Sequence, residues 1–320
     1  MPEGVYLERA LELAERGRGT TSPNPVVGAL VVAGGEVVGE GWHERAGGPH
    51  AEVVALEQAG ERARGATLYV TLEPCAHHGR TPPCADAVIA AGITRVVAAA
   101  FDPNPETNGE GFERLRAAGL DVELASGELE RRARVQTEAY RMWVATGRPF
   151  VTYKAAVTLD GRMTVPGSRW VSGEESRRLV HELRAASDAI AVGMGTVRAD
   201  DPTLTARDVG ATRQPRRLAF GRGPLPERSE LELCSGPLDE ELTRLAEKGV
   251  QSLLLEGGAT LASAFLRADL VDKLLVFVAP TLSGDGPLLF GDVAGPVGLH
   301  HLTARPVGKD VLLTAYLHEP

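Results

Sequence analysis

The sequence predicts an α/β protein with two domains. Short apolar runs of strand length alternate with amphipathic helical segments along the chain, which is the pattern of helices packed against a sheet. The chain has 320 residues, about twice the length of a typical domain, and its hydrophobic fraction of 43% is sufficient for two cores. A break at Thr146-Gly147-Arg148-Pro149 separates two series of elements, so we place the domains at residues 1–146 and 147–320.

The first domain is predicted to begin with a helix, because Leu7, Ala10, Leu11 and Ala14 recur on one helical face. A glycine pair at 34–35 then predicts a hairpin turn between two strands. The predicted helices are Tyr6–Arg16, His50–Arg64, Cys84–Ala91, Gly111–Ala118 and Leu129–Ala145, and the predicted strands are Val26–Val32, Glu36–Gly41, Thr67–Leu72, Arg95–Ala100 and Asp121–Leu124.

The second domain is predicted to start a new series of strands and helices after Pro149. The polar, Arg- and Gly-rich stretch Arg207–Gly223 is interpreted as an exposed loop, although a short strand is also predicted inside it. The predicted strands are Phe150–Ala156, Ala189–Val192, Arg217–Phe220, Ser252–Glu256, Lys273–Val278 and Val311–Tyr316, and the predicted helices are Glu174–Ala186, Asp239–Lys248 and Thr260–Arg267.

Composition excludes several functional classes. The formal charge of −9 argues against a nucleic-acid-binding protein, because phosphate contacts require clustered Lys and Arg. No uncharged apolar run reaches the roughly 18 residues that a membrane span requires, and we expect no signal peptide at the start. Three cysteines cannot close a disulfide framework, which favours free or metal-bound thiols in a reducing compartment. We therefore expect a cytoplasmic protein with neither nucleic-acid nor membrane partners.

The strongest motif is a set of metal-ligand residues, His50-Ala51-Glu52 followed by Pro74-Cys75 and Cys84. This order is typical of zinc-dependent deaminases. Two thiolates and one imidazole fill three tetrahedral positions on Zn²⁺ and leave the fourth for water, whose pKa falls towards about 7. Glu52 is then placed to carry a proton from water to the leaving ammonia. We expect each cysteine at a helix N-terminus, where the helix dipole stabilises a thiolate.

The spacing of the two cysteines departs from the common deaminase motif, because eight residues rather than two lie between them. The insert brings His77, His78 and Arg80 to the rim of the site. One alternative is therefore a structural zinc site that His77 or His78 closes as fourth ligand. A second alternative is a deaminase that edits tRNA or DNA, against which the negative charge argues.

The second domain contains only weak motifs. Gly193-Met194-Gly195-Thr196 does not continue as a Rossmann fingerprint, because position 198 is arginine. Glu256-Gly257-Gly258 follows an apolar strand and precedes a predicted helix, an arrangement that suits a phosphate at a helix N-terminus. Cys234 belongs to no motif and is interpreted as an inert thiol.

Six segments carry a specific resemblance that covers essentially the whole chain. The segments Ser22–Gly28, His50–Glu52, Thr71–Cys84, Lys154–Arg162, Gly195–Thr205 and Glu256–Pro280 resemble the bifunctional deaminase/reductase family of riboflavin biosynthesis. The resemblance implies a cytidine-deaminase-like α/β/α sandwich followed by a dihydrofolate-reductase-like α/β domain. It also implies a homo-oligomer, most simply a dimer through the second domain.

For the first domain, the resemblance implies hydrolysis at C2 of a diaminopyrimidinone that carries a ribosylamino 5-phosphate. His50, Cys75 and Cys84 are then the zinc ligands, and Glu52 is the proton shuttle. Further substrate contacts are expected from Asn24 and, around the ribose phosphate, from His43, His77 and Arg80.

For the second domain, the resemblance implies NADPH-dependent reduction of the opened ribosyl group to a ribityl chain. Lys154 is the candidate catalytic residue, with a structural ion pair to Glu256 as the alternative. The residues expected to contact NADPH are Ala156, Trp170, Thr196, Asp200, Arg222, Gly258, Ala259, Thr260, Leu261, Ala262, Ser263 and Ala264. The residues expected to hold the substrate are Ser168, Arg184, Leu204, Arg207 and Glu256.

Besides Lys154, two of these residues and the chain as a whole keep an open alternative. Trp170 is equally compatible with a core position, and Asp200 with a turn before Asp201-Pro202. For the whole chain, the alternative is a monofunctional zinc deaminase whose second domain serves only for dimerisation or cofactor binding.

Overall fold

Two separate β-sheets organise the chain. The computed structural model describes residues 3–77, 82–104, 108–291, 293 and 295–319. Contacts between Cα atoms divide the chain into two compact units, Met1–Thr146 and Gly147–Pro320. Among the described residues, no helix is both long and apolar enough to cross a membrane.

The first unit contains a five-stranded sheet of order β2-β1-β3-β4-β5. β1 pairs antiparallel with β2 and β3, and the remaining neighbours, β3 with β4 and β4 with β5, are parallel. The strands are β1 Gly28–Ala33, β2 Glu36–Trp42, β3 Thr67–Val70, β4 Arg95–Ala98 and β5 Asp121–Leu124.

Helices cover both faces of this sheet, which confirms the predicted α/β/α sandwich. Ala29 and Val31 of β1 pack in one hydrophobic cluster, and Leu30 and Val32 pack in another on the opposite face. The helices are α1 Glu3–Glu15, α2 Ala51–Ala59, α3 Cys84–Ala90, α4 Glu110–Ala117, α5 Glu128–Gln136 and α6 Glu138–Thr146.

Glycine in β2 lets α2 lie unusually close to the sheet. A Cβ atom added at Gly41 would come within 2.3 Å of the Ala51 carbonyl oxygen, and one at Gly39 within 2.1 Å of the Ala55 carbonyl oxygen. Only glycine is compatible with such an approach between backbones. This packing fixes the start of α2, where His50 and Glu52 are located.

The second unit contains an eight-stranded sheet of order β12-β13-β11-β6-β10-β7-β8-β9. The strands from β11 to β9 in this order run parallel, whereas β13 is antiparallel to β11 and to β12. The strands are β6 Phe150–Thr158, β7 Ala189–Gly193, β8 Arg216–Phe220, β9 Glu232–Cys234, β10 Ser252–Leu255, β11 Lys273–Ala279, β12 His300–Val307 and β13 Asp310–Tyr316.

The core of the second unit also extends over both faces of its sheet. Tyr153 and Phe265 are fully buried in one cluster, and Ile190 with Val192 and Phe277 lie in clusters on the other side. The helices are α7 Glu174–Ala186, α8 Met194–Asp200, α9 Leu238–Glu247 and α10 Ala259–Arg267.

Four local predictions are corrected by the structure. The helix predicted to reach Arg64 ends as an α-helix at Ala59 and continues as a 3₁₀ turn, Gly60–Ala63. The helix predicted over Leu129–Ala145 is interrupted at Thr137, where φ is −107° and the hydroxyl donates to the Ala133 carbonyl. Cys75 lies in no helix, and part of the predicted loop Arg207–Gly223 forms β8.

Three elements of the second unit were not predicted. β12 is exposed at all positions but its last, so it has neither the apolar run nor the alternation that reveals a strand. β9 has only three residues and α8 only seven, and both are short for periodicity to be visible. All three therefore depend on pairing or packing with neighbouring elements.

A buried ion pair anchors the beginning of the second unit. Asp272 accepts hydrogen bonds from Arg148 Nη1 at 2.8 Å and Nη2 at 2.7 Å, and from the Val151 amide at 2.7 Å. The Asp272 side chain is only 2% exposed and the Arg148 side chain 18%. The carboxylate thereby joins the segment that precedes β6 to the start of β11.

We predict that Asp272→Asn lowers the free energy of unfolding of the second unit by roughly 3 kcal/mol, because a buried guanidinium loses its counter-charge. The side-chain amide introduced by this substitution would also replace the carboxylate that accepts a hydrogen bond from the Val151 N–H. Denaturant unfolding of the full-length chain, followed by circular dichroism, measures the change.

Glu182→Gln in α7 is the matched control, because Glu182 pairs with Arg178 on the surface with both side chains largely exposed. Its loss should cost less than about 0.5 kcal/mol. Equal destabilisation by the two substitutions would contradict the role assigned to Asp272.

Candidate active sites

Three ligand atoms converge in the first unit. His50 Nδ1 lies 2.9 Å from Cys84 Sγ and 3.7 Å from Cys75 Sγ, and all three ligand atoms lie within 4.8 Å of one another. His50 is the N-cap of α2, Cys84 is the first residue of α3, and Cys75 lies in the loop that follows β3. Three elements that are distant in sequence therefore contribute one ligand each.

This donor set fits zinc. One imidazole nitrogen and two thiol sulfurs match a catalytic site with three protein ligands, and N and S ligands of one tetrahedral zinc ion lie about 3.5 Å apart. The observed N···S distances lie on either side of that value. Among the described residues, no other group of three or more His, Cys, Asp or Glu residues has metal-binding spacing.

The stabilisation of the Cys75 thiolate differs from the prediction. No helix begins at Cys75; instead its sulfur accepts a hydrogen bond from the Cys84 amide at 3.3 Å. Hydrogen bonding with Cys84, and more weakly with His50, lowers the pKa of Cys75 to about 4. Cys84 lies at the N-terminus of α3, as predicted. Its pKa is raised, mainly because its side chain is hydrogen-bonded to the side chain of Cys75.

Glu52 is a buried carboxylate beside the three ligands. Its side chain is in the first turn of α2, and the residue is 3% exposed. Burial raises the pKa of Glu52 to about 7, an effect that the positive charge of His50 opposes. A carboxyl group with this pKa can both accept and release a proton near neutral pH.

His50, Cys75 and Glu52 line one cavity of about 350 Å³. Asn24, from the loop before β1, and His43, which follows β2, also line it. His77 lies at the rim of this cavity and is exposed. Arg80, predicted to bind substrate, lies outside the described residues.

His43 is a buried residue and not an exposed side chain at the protein surface. The residue is 2% exposed, and both of its ring nitrogens have partners, with Nδ1 2.9 Å from the Pro49 carbonyl and Nε2 3.1 Å from Asn24 Nδ2. Burial lowers its pKa. The ring also stands edge-on to His50, with centroids 5.3 Å apart.

Glu73 is a structural residue of this site that sequence analysis missed. Its buried carboxylate accepts hydrogen bonds from four backbone amides, those of Asp102, Gly109, Gly111 and Phe112. It therefore holds the Pro74-Cys75 turn against the start of α4. Its position directly before Pro74-Cys75 was the only available signal, because no periodicity distinguishes it.

Asp102 and Tyr140 were also missed, although both line the cavity. The Tyr140 hydroxyl donates to Asp102 Oδ1 at 3.3 Å, and the amide of Asn104 donates to the same oxygen at 2.9 Å. Burial, followed by the charge of Asp102, raises the pKa of Tyr140, so its hydroxyl stays protonated. The two residues are 38 positions apart in the sequence, so no local sequence pattern predicts their contact.

In the second unit, Glu256 is the centre of an ion cluster. It follows β10 and lies next to Lys154 of the neighbouring parallel strand β6, with Lys154 Nζ 3.4 Å from Glu256 Oε2. Arg184 of α7 donates to both carboxylate oxygens, at 2.6 and 3.0 Å. Burial alone would raise the pKa of Glu256, but Lys154 and Arg184 together lower it, so the carboxylate is ionised.

The structure thus brings together three of the predicted reductase residues. Both interpretations of Lys154 remain compatible with its position, because the ion pair with Glu256 is present at the carboxyl end of the parallel sheet, where ligands bind in open α/β sheets. Arg184 is also tied to the Thr205 carbonyl, at 3.2 Å.

Residues 201–208 adopt a strained conformation beside this cluster. Asp201, Leu204 and Asp208 have φ values of 39°, 49° and 61°, which are uncommon for residues other than glycine. Leu204 is 3% exposed and packs in the core. Arg207 is exposed, and its guanidinium donates to the hydroxyls of Thr203 and Thr205.

His181 was not predicted, although it lies one helical turn before Arg184 on the same face of α7. Its Nδ1 lies 3.2 Å from the Arg207 amide and 3.1 Å from the Thr205 carbonyl. Burial, followed by the charges of Arg184 and Arg207, lowers its pKa. The i, i+3 spacing to Arg184 could have indicated it.

Trp170 is a surface residue, so the alternative of a core position is excluded. It is 54% exposed, and the guanidinium carbons of Arg169 and Arg177 lie 5.1 and 5.2 Å from its ring centroid. Ser168 is also exposed, and its hydroxyl donates to the Trp170 carbonyl at 2.8 Å.

The remaining residues predicted to contact NADPH fall into two groups, those with buried side chains and those that are partly buried or exposed. Gly258 is the N-cap of α10 and has no side chain to occupy the first amides, which keeps them available to an anion. The side chains of Ala262 and Ser263 are buried, at 0% and 2% exposure, and the contact of these residues with NADPH stays a prediction. The others, partly buried or exposed, are Ala156, Thr196, Asp200, Arg222, Ala259, Thr260, Leu261 and Ala264.

Two family models match the two units separately. Residues 3–100 match the cytidine and deoxycytidylate deaminase zinc-binding region. Residues 149–313 match the RibD C-terminal domain. The first range contains Glu52 and the three candidate metal ligands, and the second contains Lys154, Arg184 and Glu256.

Relatives and solved structures resemble the chain over nearly its whole length. It is 44% identical to riboflavin biosynthesis protein RibD of Aquifex aeolicus, over 90% of this chain and 89% of the relative. Identity to the RibD protein of Escherichia coli is 42%, over 89% of each chain.

Among solved structures, RibD of Acinetobacter baumannii superposes with a TM-score of 0.89 at 38% identity, covering 98% of both chains. A diaminohydroxyphosphoribosylaminopyrimidine deaminase/5-amino-6-(5-phosphoribosylamino)uracil reductase from Thermotoga maritima gives a TM-score of 0.87 at 35% identity, covering 98% of this chain and 97% of that one. The chain therefore belongs to the RibD family of bifunctional deaminase/reductases of riboflavin biosynthesis.

Proposed function

We propose that residues 1–146 carry out the deaminase reaction of this family and residues 147–320 the reductase reaction. The substrate is 2,5-diamino-6-ribosylamino-4(3H)-pyrimidinone 5′-phosphate, and the two steps remove its 2-amino group and reduce its ribosyl group to a ribityl chain. One observation carries the deaminase assignment: the ligand atoms of His50, Cys75 and Cys84 converge, and His50 and Cys75 line the same cavity as the buried Glu52. The division into two compact units supports the assignment of one reaction to each.

In the deaminase site, His50 Nδ1 and the sulfurs of Cys75 and Cys84 would hold zinc. A zinc ion there would supply Lewis acidity that makes water acidic enough to serve as the nucleophile near neutral pH. Glu52 accepts a proton from the attacking water, whose oxygen adds to C2 of the pyrimidinone. The same carboxyl group then delivers the proton to the amino nitrogen, which leaves as ammonia.

In the reductase site, NADPH supplies the hydride that reduces C1′ of the opened ribosyl group. Lys154 Nζ stabilises or protonates the sugar oxygen as the hydride arrives. Glu256 holds Lys154 in place through an ion pair in which the Glu256 carboxylate is ionised. Arg207, whose guanidinium is exposed, is the proposed phosphate ligand, joined by Arg184 if substrate displaces part of its contact with Glu256.

The monofunctional alternative is not favoured. A passive dimerisation module does not require a lysine and an arginine to converge on one buried carboxylate at the carboxyl end of its sheet. The match of residues 149–313 to the RibD C-terminal domain supports the bifunctional interpretation.

We also propose a homodimer formed through the second unit. Support comes from β12, an edge strand exposed at all positions but its last, on which Leu302 is 63% exposed. Unpaired edge strands are templates for pairing with another chain. A cytoplasmic location is proposed because Cys75 and Cys84 must stay reduced to bind zinc.

We predict that Glu52→Gln lowers ammonia release by about 10²- to 10⁴-fold, because the glutamine amide cannot accept the proton from water. Zinc content should remain one ion per chain, since Glu52 is not a ligand. Ammonia release and metal analysis on the same preparation measure both quantities.

Glu57→Gln provides the matched control, because Glu57 is an exposed residue of the same helix. It should leave both zinc content and ammonia release unchanged. Loss of zinc in Glu52→Gln, or persistence of its activity, would refute the proton-shuttle role.

We predict that Lys154→Met lowers NADPH oxidation with the deaminated intermediate by at least about 100-fold, because the charge that faces the sugar oxygen is removed. Ammonia release by the same chain serves as the internal control and should not change. Wild-type reduction rates in this variant would leave only the structural ion pair as the role of Lys154.

We predict that Leu302→Glu shifts the protein from dimer towards monomer, since it places a charge on the proposed edge-strand interface. Light scattering across a dilution series measures the mass. Val5→Glu, at an exposed position of α1 in the other unit, should not shift the mass. A wild-type monomer at micromolar concentration would refute the dimer.

A further inference from the structure

A short chain of hydrogen bonds links three residues of the deaminase cavity. His43 Nδ1 lies 2.9 Å from the Pro49 carbonyl oxygen, and His43 Nε2 lies 3.1 Å from Asn24 Nδ2. The amide of His43 also donates to the Val27 carbonyl at 2.9 Å, which fixes the residue at the end of β2. His43 is 2% exposed, so water does not compete for either ring nitrogen.

The partners determine which nitrogen carries the proton. A carbonyl oxygen only accepts hydrogen bonds, so Nδ1 facing Pro49 must be protonated. In a neutral ring Nε2 is then an acceptor, which agrees with the carboxamide nitrogen of Asn24 facing it. The reverse tautomer would place the lone pair of Nδ1 against the lone pairs of the Pro49 oxygen.

This arrangement also determines the orientation of Asn24. Its Nδ2 is directed to His43, so Oδ1 is the end that remains for other partners, and no described residue donates a hydrogen bond to it. Asn24 lines the same cavity as His50, Cys75 and Glu52. The cavity wall therefore presents a hydrogen-bond acceptor at this position.

We propose that His43 is a positioning residue: through its hydrogen bonds with the Pro49 carbonyl and the Asn24 carboxamide, it holds Asn24 so that Oδ1 accepts a hydrogen bond from an N–H group of the substrate heterocycle. The inference rests on the proposed deaminase function and identifies the chemical group that the site selects at Asn24. It differs from a direct contact between His43 and the ribose phosphate, which would require a ring nitrogen free to donate.

The same hydrogen bond has a second consequence. Pro49 directly precedes the zinc ligand His50, so the bond from His43 Nδ1 also restrains the segment that leads into the metal site. The edge-on contact between the two imidazole rings adds to this restraint. Orientation of Asn24 and placement of His50 thus depend on one side chain.

The first test is the protonation state of His43 in the zinc-loaded, full-length protein. Two-bond ¹⁵N–¹H correlation spectra of the histidine side chains, assigned by comparison with His43→Phe, should show a neutral ring protonated on Nδ1 between pH 6 and 8. Asn24→Asp should convert the ring to the imidazolium, because a carboxylate only accepts. An imidazolium or an Nε2–H tautomer in the wild type would overturn the proposal.

The second test is a double-mutant cycle on deaminase kinetics. His43→Phe keeps an aromatic ring beside His50 and removes both hydrogen bonds, so kcat/KM for ammonia release should fall by about 10- to 100-fold. In an Asn24→Ala background the same substitution should cost at least about fivefold less, because the group it positions is absent and only the restraint on the segment before His50 is lost. His43→Gln, which retains a donor and an acceptor, should recover part of the loss.

Additive effects of His43→Phe and Asn24→Ala would show that His43 acts on the substrate directly and would overturn the proposal. NADPH oxidation by the second unit of the same chain is the internal control and should be unchanged in every variant. Ammonia release by the wild type tests the proposed deaminase function, whereas the histidine spectra test the positioning role of His43. Failure of one can therefore be distinguished from failure of the other. If His43→Phe loses zinc, the wild-type spectra, with assignment by His43→Gln, still decide the question.

Discussion

Four buried carboxylates are compensated by different neighbours, and the kind of compensation determines what each of the four does. Glu73 accepts hydrogen bonds from four backbone amides and holds a turn. Asp272 neutralises Arg148 and anchors a strand. Glu256 faces Lys154 and Arg184 and stays ionised. Glu52 is the least compensated of the four, so burial raises its pKa to about 7 and makes it suitable for moving a proton.

Both sites are assembled where segments distant in sequence meet, and the surrounding packing fixes them. In the first unit, glycines of β2 let α2 approach the sheet closely enough to bring His50 and Glu52 opposite the Cys75 loop. In the second, the parallel pairing of β6 and β10 places Lys154 beside Glu256. Conformational strain is concentrated near the second site, at Asp201 and Leu204, as is common for residues that hold functional groups.

Local patterns were sufficient for most of the fold and for the chemical identity of the metal site. Apolar periodicity predicted α1 and the strands of both sheets other than β9 and β12, because burial of one face imposes that periodicity. It failed for β12, which is exposed, and at Thr137, where a side-chain hydrogen bond ends a helix that the pattern continues. The order of His50, Glu52, Cys75 and Cys84 predicted zinc because few other functions require those residue types in that order.

The order and types of the side chains were enough to identify the family and its two reactions, since both depend on motifs that can be read along the chain. How those side chains are buried and paired became visible only in the folded protein. It showed that His43 has both nitrogens occupied, that Glu73 organises a turn and that Trp170 lies on the surface. The physical reason is that hydrogen-bond partners and burial depend on contacts between residues tens of positions apart, such as the 102 positions between Lys154 and Glu256, which local sequence patterns do not report.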